Sequence, residues 1–399
     1  MIIKPKTRGF ICTTAHPQGC HEHVKEQVSY IESQPFSSET KPKTVLVIGC
    51  STGYGLASRL TCAFGFGAET LGVMFEKPPT EKRTASAGWY NTAALEEQAK
   101  SKGLKAQTLN LDAFSHEAKE VVINTLKENF GKVDLVVYSL ASPRRKDPES
   151  GEVFSSTLKP IGKAVTMKTL DTDKKVVHDV TLEPASEKEI ADTVKVMGGE
   201  DWELWMDALM KAGVLSDGVK TVAYTYIGKS LTWPIYGHAS IGKAKEDLDR
   251  AAHGLNERLG ESLGGEARVA VLKAVVTQSS SAIPVMPLYI SMLYQVMKDR
   301  GVHEGCIEQI YSLIAEQLYA KENRVLDDSG RIRVDLKELE DDIQNEVKSL
   351  WDKVNSENIN ELSDFEGYQK EFFKLFGFGF DNVDYDADCN PMVVPESMC

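Results

Sequence analysis

The sequence predicts an α/β fold, a doubly wound parallel sheet, and three observations carry that prediction. Val45 to Ile48 (VLVI) is an apolar, β-branched run that breaks into a glycine-rich turn. Leu56, Ala57, Leu60 and Phe64 then share one helical face, and a second apolar strand closes on Phe75 and Glu76. Val133 to Leu140 (VDLVVYSL) is the near-continuous apolar run that a central parallel strand requires. Three βα repeats are therefore laid down by residue 142, and right-handed crossovers wind them into one sheet with ligands at the carboxyl ends of its strands.

The turn after the first strand holds Gly49, Gly53 and Gly55 in a G-x3-G-x-G spacing. Glycine there serves positive φ angles, close approach of backbone to a pyrophosphate, and tight packing of the helix on the sheet. The helix opening near Tyr54 aims its free N–H groups and positive dipole end at those phosphates. Three glycines alone mark only turns; the strand before them and the helix after them point to a dinucleotide. Glu76 lies 21 residues beyond Gly55. A carboxylate there accepts from the adenosine ribose hydroxyls and repels a 2′-phosphate, so NAD(H) is the expected cofactor, with Lys77 softening the rejection of NADP.

The third strand is Ala106 to Leu111, followed by Asp112 and Ala113 and an amphipathic helix over Lys119 to Phe130. Alternation lapses from Pro143 to Lys220. Thr157 to Thr169 reads as a hairpin turning at Pro160-Ile161-Gly162, with a further strand at Val176 to Thr181. Amphipathic helices follow over Ser186 to Met197, with Ser186 as N-cap and Glu189 at N3, and over Asp201 to Ala212. The pattern resumes with a strand at Val219 to Ile227, a helix from Ile241 to Leu259, a strand at Ala267 to Val276, and a buried helix over Ala282 to Met297 beside a lipophilic ligand. Charge-rich helices at Glu304 to Lys321, Asp335 to Asn355 and Glu357 to Phe376 cover the sheet. The chain thus reads as one enlarged Rossmann-type domain: an N-terminal extension (1–42), a dinucleotide-binding half (43–142), an inserted β-hairpin and helical segment (143–220), a catalytic and substrate half (221–300), and a helical C-terminal cover (301–399).

Composition narrows the class. A chain of 399 residues, 42% hydrophobic, buries a large core. Seven scattered cysteines without a C-x2-C pair argue against a disulfide framework, and MIIKPKTRGF carries no signal-peptide core, so a cytoplasmic protein is expected. The longest apolar stretch falls short of the roughly 20 residues a bilayer requires. A net charge of −13 disfavours nucleic acid and anionic membrane as partners.

The chemistry concentrates in VAYTYIGKSLTWPIYGHASIGKAK, residues 222–245, which holds Tyr224, Tyr226, Tyr236 and Lys245 after a strand that ends at the cofactor. A phenol is a poor acid near neutral pH, but a lysine ammonium stabilises its phenolate and also donates to the nicotinamide ribose. On one continuous helix, nine steps would place Tyr236 and Lys245 on opposite faces, roughly 13 Å apart along the axis. Tyr236 therefore lies off the helix, on a lead-in bent by Pro234 and Gly237, with Ser240 as N-cap and Lys245 in the second turn.

The glycine turn together with Tyr236-x8-Lys245 resembles the FabV-type enoyl-ACP reductases, relatives of the trans-2-enoyl-CoA reductases within the short-chain dehydrogenase/reductase lineage. IKPKTRGFICTTAHPQGC, CSTGYGLASR, AHGLNERLG and FGFGFDNVDYDADCNP look like that family's segments, so the resemblance spans the chain. Ordinary short-chain dehydrogenases space the pair Y-x3-K. The resemblance implies NADH-dependent reduction of trans-2-enoyl thioesters on acyl-carrier protein or CoA, in type II fatty-acid synthesis, by a monomer without a metal. It implies Tyr236 as oxyanion partner and acid, Lys245 on the ribose, and Tyr226 near the same carbonyl, with the choice of proton donor between the two tyrosines open. It places Gly49, Cys50, Ser51, Thr52, Gly53 and Tyr54 on the pyrophosphate and Phe75 and Glu76 on the adenosine ribose. Asp112 and Ala113 fall at the adenine, Leu140 and Ala141 near the nicotinamide, and Val275, Val276 and Thr277 at the carboxamide.

Other clusters read differently. His16, Cys20, His21 and His23 lack the distant second pair that a zinc site recruits, and read as a structured loop near the substrate entrance. Asp384, Asp386 and Asp388 imitate a calcium loop, but Cys389 and Pro395 occupy its glycine and glutamate positions. Arg144, Arg145 and Lys146, with Lys4, Lys6 and Arg8, are the candidate docking residues for an acidic carrier protein or CoA phosphates. Two rivals stand beside the enoyl reductase: a short-chain reductase acting on a ketone or 3-ketoacyl thioester, and a non-catalytic NAD(H) sensor.

Overall fold

The computed structural model describes residues 1–36, 41–319 and 324–398; Cys399 and the predicted helix end at Lys321 lie outside them. Among the described residues, seven parallel strands form one sheet: β1 (Thr44–Ile48), β2 (Glu69–Met74), β3 (Ala106–Asn110), β4 (Val133–Tyr138), β5 (Leu215–Thr225), β6 (Glu266–Val271) and β7 (Ile332–Arg333). Their order is β7-β6-β5-β4-β1-β2-β3. The chain winds outward from β1 in one direction, then returns to β4 and winds the other way, so the β1/β4 boundary is the switch point where such sheets bind ligands.

All five residues of β1 are buried, because both faces of the sheet are covered. Val45 and Val47 join an apolar cluster that runs from Ile3 to Cys389 and includes the buried helix Met286–Asp299. Leu46 and Ile48 point the other way, toward Trp202, Trp205 and the helix Ser240–Leu263. The period-2 alternation of one strand thus feeds two cores.

The insertion differs from the sequence reading at its hairpin, and it opens with an unpredicted antiparallel pair, Arg144–Lys146 with Val153–Ser155. The hairpin pairs Val165–Asp171 with Val176–Leu182 and turns at residues 172–175, not at Pro160-Ile161-Gly162. Asp171 drives that turn: its Oδ1 accepts from the Asp173 and Lys174 amides at 3.1 and 2.9 Å. The Pro160 segment instead pairs with the lead-in to the long helix, where the Ser240 N–H donates to Lys159 O at 2.9 Å. Ala239 is consequently the N-cap of that helix, and Ser240 enters its first turn with its hydroxyl donating to Thr157 O. The capping box on Ser186 and Glu189 forms as expected.

Beyond residue 300 the helices are shorter than the charge pattern suggests. Asp341–Lys353 stands alone, and Ile359–Leu362 and Phe365–Lys374 are separated at Ser363 by the Asp364 cap. β7, only two residues long, has no sequence signature of its own. No described helix is long and apolar enough to cross a membrane.

Candidate active site

The glycine turn sits at the carboxyl end of β1, beside the end of β4. Gly49 and Gly53 adopt φ of +84° and +52°, in the left-handed region that favours glycine. A β-carbon on Gly55 would overlap the Gly49 carbonyl, so its glycine permits the helix Gly53–Leu60 to pack on the turn. No side chain caps that helix, which leaves its first amides for an anion. The amides of Gly49 and Cys50 are committed to Val73 O at 2.9 and 3.1 Å. The Cys50 thiol faces Arg59 in the core. Cys50 therefore shapes the turn from beneath, and the amides free to meet phosphate begin beyond it.

Ser51 links the turn to the next strand, donating from Oγ to Glu76 Oε1 at 2.6 Å. Asn110 holds the Glu76 backbone from both sides, accepting from its N–H at 2.7 Å and donating to its carbonyl at 3.0 Å. Asn91 donates to Ser51 O at 3.2 Å, and Gly88 leaves room for the Glu76 carboxylate. Sequence reasoning missed Asn91, Asn110 and Gly88; a polar residue ending an apolar strand was the one available signal, at Asn110. Phe75, next to Glu76, stands 77% exposed.

Asp112 and Ala113 follow β3 as predicted, but the Ala113 carbonyl turns inward, accepting from Trp205 Nε1 at 3.0 Å and Lys119 Nζ at 3.2 Å. Leu140 lies against the turn, and Ala141 is exposed. The strand predicted to reach Val276 ends at Val271; the chain then runs extended to Thr277, whose methyl would lie 3.5 Å from a β-carbon on Gly53. Val275, Val276 and Thr277 thus cross the mouth of the turn. The Val276 amide is fixed by Tyr294 Oη at 3.1 Å.

β5 delivers the tyrosines. Tyr224 is spent on packing: its hydroxyl bonds Ser58 Oγ at 2.6 Å. Tyr236 caps the end of a short 3₁₀ turn (Trp233–Ile235), off the long helix as the spacing requires, and is only 8% exposed. Burial pushes its phenol well above the ordinary range, partly offset by a hydrogen bond from the Tyr226 backbone. Its ring meets Tyr226 edge to face, with centroids 5.0 Å apart. Leu158, Val194, Met197 and Ile283 pack around this group, so the insertion and the segment before the apolar helix give the tyrosine an apolar wall.

Lys245 Nζ donates to the Tyr224 carbonyl at 3.3 Å, so it is anchored at the end of β5 rather than on Tyr236. Burial lowers its pKa to about 8, opposed by Asp249. The Tyr226 hydroxyl meets Glu338 at 2.9 Å and Thr232 Oγ1 at 3.2 Å.

The candidate docking residues separate. Arg144–Lys146 is a short strand whose alternation exposes Arg144 and Lys146 but turns Arg145 inward, where its guanidinium donates to Glu200 at 2.7 Å. Arg145 is therefore a core residue, not a docking residue. His16 accepts from the Gly19 amide at 3.3 Å as the cap of the first helix, packed on Tyr385.

A glycine turn at a switch point, with a buried tyrosine and a half-buried lysine just beyond the strand after β4, defines a dinucleotide-dependent reductase. Models of the trans-2-enoyl-CoA reductase catalytic region and of the NAD(P)H binding domain of trans-2-enoyl-CoA reductase match residues 83–319 and 2–81. The chain belongs to the trans-2-enoyl-CoA reductase family. A curated relative from Idiomarina loihiensis, named enoyl-acyl-carrier-protein reductase (NADH), is 61% identical over 98% of this chain and 100% of its own. Another of that name, from Pseudomonas aeruginosa, is 59% identical over 98% of both. The solved Clostridium acetobutulicum trans-2-enoyl-CoA reductase in complex with NADH superposes with a TM-score of 0.95 at 43% identity, covering 99% of each chain. The Treponema denticola enzyme in complex with NAD gives 0.93 at 47%, covering 98% of each.

A further model, described as an enoyl reductase FAD binding domain, matches residues 326–389. The residues there do not fit a flavin cradle. Gly377 and Gly379 have the positive φ of an anion-binding turn, but a β-carbon on Gly377 would lie 2.5 Å from the Cys20 amide, so the loop is filled by the start of the first helix.

Proposed function

We propose that this chain reduces the trans-2 double bond of enoyl thioesters, carried on acyl-carrier protein or CoA, to the saturated acyl thioester with NADH, in type II fatty-acid synthesis. The observation that carries this reading is the placement of Tyr236, buried in an apolar wall while the glycine turn and Glu76 occupy the switch point.

Bound NADH supplies a hydride to the β-carbon of the enoyl chain. Electron density then gathers on the thioester oxygen, where the Tyr236 hydroxyl donates a hydrogen bond and passes its proton toward the α-carbon, restoring the carbonyl. A neutral phenol with a raised pKa holds that proton until the enolate forms. Lys245, anchored on β5, reaches the ribose hydroxyls with its remaining hydrogens. Ser51 to Tyr54 hold the pyrophosphate, Phe75 and Glu76 the adenosine, Asp112 the adenine edge, Leu140 and Ala141 the nicotinamide side, and Val275 to Thr277 the carboxamide. No step runs through a flavin or a metal in this reading. We further read the chain as one domain, since a single apolar cluster joins Ile3 to Cys389, working as a cytoplasmic monomer on the strength of the family resemblance.

The test is the loss of NADH absorbance with crotonyl-CoA, run beside NADPH and beside acetoacetyl-CoA. NADH-dependent loss with crotonyl-CoA that Tyr236→Phe and Lys245→Met abolish supports the assignment. Turnover of acetoacetyl-CoA alone would replace it with a ketoacyl reductase.

A further inference from the structure

The loop that follows β3 is held from behind by the insertion. Ala113 O accepts from Lys119 Nζ at 3.2 Å and from Trp205 Nε1 at 3.0 Å, and Phe114 O accepts from the same ammonium at 3.4 Å. The third hydrogen of Lys119 goes to Asp201 Oδ1 at 2.9 Å. An ammonium has three hydrogens, so none is left over for a ligand. Asp201 lies in the first turn of the inserted helix Glu200–Ala212, and its second oxygen accepts from Tyr138 Oη, at the end of β4, at 3.1 Å. Both side chains of the pair are almost wholly buried, 4% and 2% exposed.

Taking two charges out of water offsets much of their attraction, so the consequence of this pair is geometric rather than energetic. A trans peptide sets its C=O and N–H in opposite directions. With the Ala113 carbonyl drawn inward, the amide of the same peptide unit, on Phe114, points the other way and donates to Asp112 Oδ1 at 3.1 Å. The Ser115 amide and hydroxyl close the loop on Asp112 O at 3.0 and 2.8 Å. Asp112 is half-buried and held by one carboxylate oxygen, while its Oδ2 has no partner among the described residues.

Resting on the cofactor placement proposed above, we infer that Lys119 and Asp201 are positioning residues for adenine recognition: they hold the Ala113 carbonyl inward and so leave one fixed oxygen of Asp112 to accept from the 6-amino group of the cofactor. A carboxylate only accepts, and an exocyclic amine donates. A 6-oxo purine in the same place would set oxygen against oxygen, so the device favours adenine over hypoxanthine. Neither Lys119 nor Asp201 touches the cofactor. The insertion, which lies outside the dinucleotide-binding half of the chain, thereby takes part in choosing the base.

The experiment measures binding rather than turnover: fluorescence titrations with NADH and with reduced nicotinamide hypoxanthine dinucleotide, on wild type, Lys119→Met, Lys119→Met/Asp201→Asn and Trp205→Phe. The double variant removes both charges and keeps an acceptor for the Tyr138 hydroxyl. Wild type should bind NADH about tenfold or more tighter than the hypoxanthine form, the range of one hydrogen bond to a charged acceptor. In the two lysine variants NADH affinity should fall about tenfold, to the level of the hypoxanthine form, whose own affinity stays within about twofold of wild type. Trp205→Phe takes one hydrogen from the same carbonyl and leaves the ion pair intact, so it should narrow the preference by about two- to fivefold.

A preference for NADH that survives both lysine variants would overturn the inference, and so would equal losses for the two dinucleotides, the signature of a loosened fold. Should the lysine variants fail to fold, Trp205→Phe decides alone, and an unchanged preference there overturns it. A wild type that binds the two forms equally well overturns it without any variant. A wild type that binds neither overturns the cofactor placement and this inference with it, whereas one that prefers NADH but leaves crotonyl-CoA unreduced overturns the enoyl-reductase reading alone.

Discussion

Ser51 Oγ lies 2.6 Å from Glu76 Oε1, joining the glycine turn to the end of the neighbouring strand through one short hydrogen bond. One carboxylate oxygen is thereby oriented before any ribose arrives. Hydrogen bonds to a charged group contribute about 1.5–3 kcal/mol, so Glu76→Ala should raise KM for NADH by about ten- to a hundredfold. KM for NADPH should change less, because the repulsion of its phosphate is removed together with the acceptor. Parallel titrations with both cofactors check this, and an unchanged NADH preference would remove Glu76 from the ribose.

Two glycines separate function from helix propensity. Gly55→Ala forces a methyl onto the Gly49 carbonyl and should destabilise the protein by about 1–3 kcal/mol while weakening NADH binding. Gly254→Ala, within the helix Ser240–Leu263, meets only the Glu203 carboxylate at 4.0 Å and should stabilise by about 0.5–1 kcal/mol. Thermal melts of the two variants, with and without NADH, should move in opposite directions.

Lys245 sets an alkaline limit. Burial lowers its pKa to about 8, so the free enzyme loses the ammonium, proposed above as the donor to the ribose, as pH rises through that value. The profile of kcat/KM for NADH, which reports free-enzyme groups, should be level below about pH 7 and fall above about pH 8. Arginine keeps its charge throughout this range, so any activity left in Lys245→Arg should lack the limb. A wild-type profile level to about pH 9.5 would contradict the assignment.

Acid stability is governed in part by Glu266 at the start of β6. Burial alone would raise its pKa, but hydrogen bonds from Arg324, at 2.8 and 2.9 Å, and from Lys220, at 2.6 Å, outweigh it and hold the carboxyl at about 2. A folded-state value below the unfolded one stabilises the protein above the unfolded pKa, about 4.3, and that contribution disappears as pH falls toward 2. Glu266→Gln should be less stable than wild type by about 1–3 kcal/mol at pH 7, with the gap closing in acid. Urea midpoints at several pH values measure it; a gap independent of pH would show that charge plays no part.

The first half of the fold was legible because local chemistry and global topology agree there: β-branched runs, a glycine turn and one apolar helical face all specify the same sheet. The hairpin was misread because proline and glycine at Pro160-Ile161-Gly162 are stronger turn signals than the Asp171-Thr172-Asp173 run, whose side-chain bonds actually make the turn. β7 was invisible because two residues carry no period. Tyr236, Lys245 and the glycines stood out by spacing. Glu338 did not, since in Lys337-Glu338-Leu339-Glu340-Asp341-Asp342 it resembles any solvated acid, and only the long-range packing of β7 brings it under Tyr226.

The pairing of Tyr226 with Glu338 also sets an order in time. Chains are synthesised at about 5–20 residues per second, so the 112 residues between them take roughly 6 to 22 seconds to make. The glycine turn, Tyr236 and Lys245 have all left the ribosome before the carboxyl group that bonds Tyr226 exists. A nascent chain can therefore carry the glycine turn, Tyr236 and Lys245 for several seconds while Tyr226 still lacks its carboxyl partner, and the last strand of the sheet is also the last part of this contact to be made.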